Sequence, residues 1–339
     1  MNDWTRKSLP ITSLNSLVSN KKVNQYEGQN CSQFENDDTV VLRIIEILDR
    51  KGPLTGKKLL EETKMDAFCL WKSCNNCEKI ITKIVGRRYL RLDKQVEEYA
   101  RLSPSIIREF YNYTVIGTEK DLQEILTKAE LLHQNIKRIS KYKFDLAQEV
   151  ITRICESQPD PQVTKTNVCC IIAGDVVYEM AHLEPRPETS TGELVNGSDL
   201  DIEVITQDLS DTFVRNLDSS IYNQKNFLLR NPSHNEEIDY IIKDISKIKK
   251  QLQFDSFESM VASKIFYEGK FLYGSLDIFH KIKQMLSDEG IPEKIEALER
   301  KASIDRKNAE EYLLKYDDSL SEEENMKLFY TKEEKEEFF

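Results

Sequence analysis

The fold is decided by residues 196–204, which read NGSDLDIEV. Acidic and apolar residues alternate from Asp199 to Val204, and this period of two predicts a β-strand. Successive side chains of a strand point to opposite faces, so Asp199, Asp201 and Glu203 are expected on one face. A row of carboxylates on a half-buried strand is destabilised by repulsion and desolvation unless cations neutralise it. The strand therefore indicates a site for hard divalent cations, with Asp199 and Asp201 as the leading pair and Asp201 and Glu203 as the alternative.

Helices and strands are predicted to alternate on both sides of this strand. Short apolar runs bounded by turn residues indicate strands, and longer runs with helical spacing indicate helices. The predicted order is strand, helix, strand, helix, strand, for VCCIIAG at 168–174, DVVYEMAHL at 175–183, DLDIEVIT at 199–206, SDTFVRNLDSSIYNQKNFLL at 210–229 and EEIDYIIKD at 236–244. Asp239 lies in the otherwise apolar run of the last strand, so it is the candidate for a third carboxylate. Nearly all of the chain after Phe254 is predicted to be helical.

These elements resemble the polymerase-beta-like nucleotidyltransferase superfamily, whose pattern is a strand, a Gly-Ser turn, a helix, a strand with Asp-x-Asp and a later strand with a third Asp. The segment NGSDLDI at 196–202 is similar to the metal motif of that family, and the resemblance covers residues 167–275, about a third of the chain. It implies two bound Mg²⁺ ions, with Mn²⁺ as a possible substitute. It also implies that Asp199 and Asp201 are ligands of both ions and that Asp239 is the ligand and base near an acceptor hydroxyl.

The resemblance further implies contacts to a nucleoside triphosphate, either an NTP or a dNTP. Gly174 falls on the phosphate turn, Ser198 directly precedes the metal pair, and Lys264 matches a lysine that often reaches the triphosphate. Asp175 stands where the family has a serine, so it is expected to repel a triphosphate unless it points away or binds an extra cation. Ser198 is one alternative source of the missing hydroxyl. The others are Ser190 and Thr191, in the inserted loop that precedes the metal motif.

The N-terminal part of the chain is expected to begin with a mobile arm and to continue as a winged-helix-like domain. Residues 1–37 are rich in Asn, Ser, Gln and Lys and lack hydrophobic periodicity. The run VVLRIIEILDRKG and two shorter runs, divided near Lys64 and Met65, have helical spacing. The segment IITKIVGRRYLRL at 80–92 has a glycine between two β-rich halves, as in a hairpin. Three helices followed by a hairpin resemble a winged helix.

Basic residues cluster on the predicted hairpin: Lys83, Arg87, Arg88, Arg91 and Lys94. Some winged helices bring such a hairpin to nucleic acid and others use it for protein contacts. The expected partners are therefore single-stranded nucleic acid, as substrate or product, or a protein partner, including a second copy of the chain. A second basic patch lies on a long predicted helix from 119 to 157, and its simplest interpretation is a solvated helix face. It comprises Lys137, Arg138, Lys141 and Lys143.

The acidic end of the chain, beyond Asp317, is expected to be a loosely held helix whose aromatic residues dock on the body of the protein. A tyrosine on such a tail, Tyr330 or Tyr316, is a candidate acceptor hydroxyl for self-priming, because a tether raises its effective concentration.

The expected fold class is α+β, with a small mixed-sheet nucleotidyltransferase core flanked by a winged-helix-like domain and a helical C-terminal region. The predicted divisions are a mobile arm at 1–37, the winged-helix-like domain at 38–103, connecting helices at 104–158, the nucleotidyltransferase core at 159–253 and the helical region with its acidic tail at 254–339.

Composition restricts the partners and the compartment. The formal net charge of −11 argues against bulk electrostatic attachment to nucleic acid or to an anionic membrane, so a polyanion must meet a local basic patch. No apolar stretch reaches the roughly 18 residues that span a bilayer, so direct membrane insertion is not expected. Seven irregularly spaced cysteines fit a reducing compartment, and the predicted location is the cytoplasm.

The leading functional prediction is a Mg²⁺-dependent nucleotidyltransferase that moves NMP or dNMP to a hydroxyl acceptor. The resemblance extends to bacterial defence enzymes that synthesise oligonucleotides without a template. The alternative is a winged-helix binding or regulatory protein whose nucleotidyltransferase-like domain senses nucleotide without turnover, and Asp175 favours this alternative.

Overall fold

The computed structural model describes residues 37–188, 192–315 and 320–338. Several predictions made from the sequence fall outside these residues: almost all of the arm at 1–37, the loop hydroxyls of Ser190 and Thr191, and the candidate acceptor Tyr316.

The described residues form a mixture of helices and small sheets, which confirms the predicted α+β class. The helices are α1 (Asp37–Lys51), α2 (Gly56–Thr63), α3 (Ala67–Asn76), α4 (Ile106–Tyr113), α5 (Leu122–Glu156), α6 (Pro161–Asn167), α7 (Asp211–Arg230), α8 (Ile245–Gln251), α9 (Phe257–Glu268), α10 (Leu276–Asp288), α11 (Ile291–Lys315), α12 (Glu322–Leu328) and α13 (Lys332–Phe338). The strands are β1 (Leu54–Thr55), β2 (Ile80–Ile84), β3 (Tyr89–Leu92), β4 (Ala100–Ser103), β5 (Thr114–Thr118), β6 (Val168–Ile172), β7 (Pro185–Pro187), β8 (Leu194–Asn196), β9 (Leu200–Thr206), β10 (Ile238–Asp244) and β11 (Lys270–Gly274). Among the described helices, none combines the length and the apolar character needed to cross a bilayer.

The chain divides into two compact units. The first comprises residues 1–135 and 299–339, and the second comprises residues 136–298.

In the first unit, the predicted helices form around a three-stranded sheet. Helix α2 ends at Lys64, which adopts a left-handed conformation, and α3 begins with Asp66 as its N-cap, so the predicted break near Lys64 and Met65 is confirmed. The sheet has the order β1-β5-β2 and is antiparallel throughout. Apolar residues of α1 to α4 fill the core beneath it.

The predicted hairpin at 80–92 is wrong, although both of its strands exist. Strand β2 pairs with β5, whereas β3 pairs with β4 in a separate two-stranded sheet. All five residues of β5 are buried, so this strand needs a neighbour on each side, and β1 and β2 supply them. Strand β5 comes after β3, β4 and α4 in the chain, and local sequence patterns do not reveal its long-range pairing with β2.

The C-terminal segment is fixed in the core of the first unit rather than loosely held. Phe329 and Tyr330 are buried, which confirms that the aromatic residues dock, and Arg101 donates hydrogen bonds to the carbonyl oxygens of Met326 and Tyr330 at 2.8 Å each. Tyr330 is only 8% exposed. A buried side chain of this kind is not the mobile tail hydroxyl that self-priming requires.

Arg88 is a structural residue of the first unit and not a surface contact. Its guanidinium donates to both carboxylate oxygens of Glu109 at 2.5 Å and to Oε1 of Glu310 at 2.7 Å. Arg306 joins the same carboxylates and also donates to the carbonyl oxygen of Pro104 at 2.9 Å. The side chains of Arg88 and Glu109 are almost entirely buried, so the loss of either one would leave its partner as an unpaired buried charge.

We therefore expect Arg88→Met to lower the free energy of unfolding by about 3 kcal/mol, because Glu109 and Glu310 would lose a buried partner. Urea unfolding of the full chain measures this change. The matched control is Arg87→Met, which changes a neighbouring, partly exposed arginine and is expected to cost no more than about 0.5 kcal/mol. Equal effects of the two substitutions would contradict the structural role of Arg88.

The second unit is built on a four-stranded mixed sheet with the order β10-β9-β6-β11. Strand β6 is antiparallel to β9 and β11, while β9 and β10 are parallel. Leu200, Ile202 and Val204 of β9 are buried on one face, where α5 and α7 contribute to the same apolar core. The predicted strands at 168–174, 199–206 and 236–244 and the helix at 210–229 are thus confirmed.

One prediction for this unit is wrong. The segment DVVYEMAHL is not a helix: a 3₁₀ turn over Gly174–Val176 gives way to irregular turns, and Glu179 has a positive φ of 58° that interrupts helical geometry. Val176, Val177, Met180 and Ala181 are buried in the core without a helix to carry them, whereas Leu183 is exposed. The described region after Phe254 is nearly all helical, as predicted, and its one strand, β11, pairs with the edge of β6.

Candidate functional site

Asp201 and Asp239 lie side by side on the second unit's sheet. The parallel register of β9 and β10 pairs the Cα atoms of these two residues directly, so their side chains emerge from the same face. Asp201 is partly buried, whereas Asp239 is exposed on β10, an edge strand. The structure therefore brings together two of the three predicted carboxylates.

Asp201 is at the centre of a group of carboxylates. Burial, followed by three neighbouring carboxylates, raises the pKa of Asp201 from 3.8 to about 7; those neighbours are Asp175, Asp239 and Glu268. The positive charge of Lys264 acts in the opposite direction. Negative charge at this site exceeds the positive charge that the nearby side chains supply.

Asp199 has a different environment from Asp201. It precedes the first residue of β9, and its carboxylate forms an ion pair with Arg186. Arg186 also contacts Oε2 of Glu237 at 2.9 Å and donates to the carbonyl oxygen of Gly197 at 2.9 Å. The arginine thus neutralises Asp199 and fixes the loop before β9, and the role of Asp199 as a metal ligand stays a prediction.

Glu203 shares the face of Asp201 but is committed to another partner. Lys243 of β10 donates to Oε1 of Glu203 at 2.8 Å, and both side chains are about 6% exposed. Breaking this buried pair would leave an isolated charge, which is strongly unfavourable. The alternative pair of metal ligands, Asp201 and Glu203, is therefore the less favourable of the two registers.

Gly174 forms a tight turn against Asp201. Its φ is +70°, and a Cβ atom at this position would lie 2.1 Å from Oδ2 of Asp201. The preceding residue, Ala173, donates its N–H to the carbonyl oxygen of Asp201 at 2.9 Å. Only glycine permits the backbone to come so close to this carboxylate.

Gly174→Ala is expected to destabilise the protein by about 1–3 kcal/mol and to displace the Asp201 carboxylate, because the new methyl group and the left-handed backbone are both unfavourable. Thermal unfolding checks the stability change. The matched control is Gly192→Ala, since Gly192 also has a positive φ, +72°, but its added Cβ would have no heavy atom within 4 Å. If both variants lose the same stability and activity, contact with Asp201 is not what requires glycine at 174.

Ser198 holds Asp175 rather than an open site. Its hydroxyl donates to Oδ2 of Asp175 at 2.7 Å and accepts the N–H of His182 at 3.2 Å, and its own N–H donates to the carbonyl oxygen of His182 at 3.1 Å. Ser198 is 7% exposed. Asp175 is thereby held near Asp201, and the predicted contact of Ser198 with nucleotide would require these bonds to be exchanged.

Lys264 lies close to the carboxylate group, as expected, and forms an ion pair with Glu268 one helical turn later on α9. Its ammonium also lies over the ring of Tyr178, 5.4 Å from the centroid. Glu268 in turn accepts the N–H of Gly174 at 3.0 Å and the hydroxyl of Tyr178 at 2.6 Å. Lys270, the first residue of β11, is exposed.

Lys143 is a buried residue of the site that the sequence interpretation placed on a solvated helix face. Its side chain is fully buried and forms an ion pair with Glu236, two residues before β10. It also donates to the carbonyl oxygen of Asn196 at 2.7 Å, just before the Ser198 loop. Lys143 thus ties together the two loops that lead into β9 and β10.

Sequence signals existed for some of the residues that were missed. Lys143 falls at helical spacing from Ile136, Ser140 and Ala147, which are all buried, so it belongs to the inward stripe of α5. Glu268 is four residues after Lys264, the spacing of an ion pair on one helix face. Arg186 lies on the three-residue strand β7, which is too short for any periodicity in the sequence to predict its contact with Asp199.

Carboxylates are hard oxygen donors of the kind that Mg²⁺ prefers, and their excess negative charge fits a divalent cation. No three His, Cys, Asp or Glu side chains in the parts of the chain that the structure describes are already gathered closely enough to hold a metal ion. The site therefore has suitable donors and charge, but its described side chains are not arranged as a complete cage.

Comparison with known proteins finds no matching family model, no matching curated protein and no matching solved structure.

Proposed function

We propose that the second unit is a nucleotidyltransferase that transfers NMP or dNMP from a nucleoside triphosphate to a hydroxyl acceptor with the help of Mg²⁺. The observation that carries this proposal is the direct pairing of Asp201 with Asp239 next to the Gly174 turn, in surroundings that raise the pKa of Asp201 to about 7. Structural carboxylates are normally paired with cations, so an uncompensated group of this kind favours a functional site.

The sheet topology supports the same proposal. A glycine turn ends β6, the acidic motif begins β9, and the third acidic residue lies on β10, which is parallel to β9. This is the order of features in the superfamily that the sequence resembles. The short turn after Gly174, in place of the family's helix, is the main structural departure.

Mg²⁺ would be held by Asp201 and Asp239, with Asp175 as an additional carboxylate close to Asp201, and Mn²⁺ is the natural substitute. Asp199 would join them only by leaving Arg186. When bound, such ions activate an attacking hydroxyl and stabilise the leaving oxygen of a phosphoryl group.

The side chains have distinct tasks in this reaction. The acceptor oxygen attacks the α-phosphorus, the bond from that phosphorus to the bridging oxygen breaks, and pyrophosphate leaves. Asp239 is exposed, so it can approach an acceptor and take the proton that the hydroxyl loses. Lys264 supplies a positive charge for the phosphates, and Ala173 and Gly174 shape the backbone beside Asp201.

The first unit is proposed to be a winged-helix-like module that binds single-stranded nucleic acid, or a protein partner that includes a second copy of the chain. Its support is the arrangement of α1, α2 and α3 around an antiparallel sheet of order β1-β5-β2. Arg88 and Arg101 are buried and unsuited to such contacts, which leaves the basic residues of lower burial: Lys83, Arg87, Arg91 and Lys94.

The alternative, a nucleotide sensor without turnover, is favoured by a specific contact: Glu268 accepts the N–H of Gly174, where a phosphate oxygen would otherwise be received. A reducing, cytoplasmic setting is proposed from the spacing of the cysteines in the sequence, and a role in bacterial defence from the sequence resemblance alone.

Pyrophosphate release tests the proposed function. The full chain is incubated separately with the eight common NTPs and dNTPs, with Mg²⁺ or Mn²⁺, and with candidate RNA and DNA acceptors. Metal-dependent release from at least one nucleotide supports the transferase. Nucleotide binding without release from any of the eight would favour the sensor.

A further inference from the structure

Glu268 sits where three hydrogen-bond donors converge. The backbone N–H of Gly174 reaches Oε1 at 3.0 Å, the hydroxyl of Tyr178 reaches Oε2 at 2.6 Å, and Lys264 forms an ion pair with Oε2. The Glu268 side chain is 4% exposed, and that of Lys264 is 12% exposed. A backbone amide, a hydroxyl and an ammonium are also the donors that bind a phosphate group.

Glu268 also adds negative charge to a region where the carboxylates already outnumber the cations. Its carboxylate raises the pKa of Asp201, together with Asp175 and Asp239. Lys264 pairs with this carboxylate directly, and Lys283 interacts with it electrostatically without forming an ion pair that removes its charge from the site. Its most favourable interactions are with the same donors that the phosphates of a nucleotide would need.

We propose that the Glu268 carboxylate occupies the position of a nucleotide phosphate group and must be displaced before the triphosphate binds. In this arrangement Lys264 leaves Glu268 and pairs with the phosphate. A stronger ion pair between Lys264 and Glu268 therefore lowers the affinity for nucleotide. The inference rests on the proposed function, because the phosphate that displaces Glu268 belongs to the nucleotide bound at the proposed transferase site.

The backbone on both sides of Glu268 is fixed, so a change in the side-chain torsions is the available route of displacement. Lys283 donates to the carbonyl oxygens of Phe266, Tyr267 and Gly269 at 2.6, 2.8 and 3.0 Å. The N–H of Gly269 donates to the carbonyl oxygen of Ile265 at 2.8 Å. These bonds cap the end of α9 and hold the base of the Glu268 side chain.

A triphosphate and an undisplaced Glu268 are electrostatically incompatible. Both are anionic and both require the amide of Gly174 and the ammonium of Lys264 at hydrogen-bond distance. Glutamine at position 268 retains the shape and an acceptor oxygen for the amide, but it has no charge with which to retain Lys264.

The test measures binding of inorganic tripolyphosphate to the full chain by calorimetry, with and without Mg²⁺. Glu268→Gln is expected to bind about ten-fold more tightly than the wild type, because Lys264 no longer has to leave a charged partner. The gain should disappear in the double variant Glu268→Gln with Lys264→Met. The matched control is Glu149→Gln, which removes a negative charge from an exposed position on α5 and should leave affinity unchanged.

Unchanged or weaker binding by Glu268→Gln would overturn the proposal, and weaker binding of both Mn²⁺ and tripolyphosphate would make Glu268 a metal ligand instead. Thermal unfolding verifies that the variant folds. If it does not fold, Glu268→Ala takes its place with the same expected direction.

Failure of this inference is distinguishable from failure of the proposed function. Tighter binding of tripolyphosphate to Glu268→Gln, with no turnover of any nucleotide, would support displacement of the Glu268 carboxylate and contradict the transferase function. Turnover by the wild type without tighter binding to the variant would do the reverse.

Discussion

Asp201→Asn is expected to reduce nucleotidyl transfer by at least about a hundred-fold and to raise the thermal midpoint of the protein without metal by about 2 °C or more. The neutral amide keeps the shape of the side chain but removes a charge needed for cation binding. It also relieves repulsion, because burial and the neighbouring carboxylates raise the pKa of Asp201 to about 7 and disfavour its ionised form. Steady-state pyrophosphate release and thermal unfolding in EDTA measure the two effects.

The same loss of activity is expected for Asp239→Asn, since β10 places this carboxylate beside Asp201. The control is Asp145→Asn, which changes an exposed carboxylate on α5 that pairs with Lys141. Activity of Asp201→Asn within a few-fold of the wild type at saturating Mg²⁺ would exclude Asp201 as a ligand. If Glu203→Gln alone abolished activity with the fold intact, the metal pair would be Asp201 and Glu203.

Lys143→Met is expected to lower the free energy of unfolding by about 3–5 kcal/mol, because it leaves the Glu236 carboxylate buried without its partner. Burial lowers the pKa of Lys143 and raises that of Glu236, so each charge depends on the other. The carbonyl oxygen of Asn196 loses a hydrogen bond as well. Urea unfolding of the full chain measures the change.

A double substitution separates loss of the pair from loss of packing. Lys143→Met combined with Glu236→Leu removes both charges and is expected to recover a large part of the lost stability. The control is Lys141→Met on the same helix, where the exposed pair with Asp145 is worth about 0.5 kcal/mol or less. If Lys143→Met costs no more than this control, the buried pair does not hold the two loops.

The sequence predicted the elements whose local pattern agrees with their final environment. The alternation of the acidic and apolar residues in β9 and the apolar run of β10 led to the correct strands, and the long helical pattern before Ser157 corresponds to α5. Asp239 was singled out as the only acidic residue in the apolar run of β10, but its direct register with Asp201 was not predicted.

The predictions that were wrong depended on contacts distant in sequence. Helical spacing in DVVYEMAHL arises from apolar residues that enter the core from an irregular turn, and the positive φ of Glu179 is not a pattern in the sequence. Strand β2 ends at Ile84 and its partner β5 begins at Thr114, with two other strands and a helix between them, so no local rule predicts this pairing. Arg88 and Lys143 were interpreted as exposed because they are charged. Both are buried in ion pairs whose partners lie far along the chain.

The most direct test of the central claim follows the α- and γ-phosphates of the nucleotide separately. The wild type is incubated with Mg²⁺ and each nucleotide, labelled at either position, beside Asp201→Asn and Asp239→Asn. The proposed reaction predicts that the α-label enters a product on a hydroxyl acceptor and that the γ-label is recovered as pyrophosphate, with both signals lost in the two variants. Recovery of the γ-label as inorganic phosphate, or transfer that persists in both variants, would contradict it.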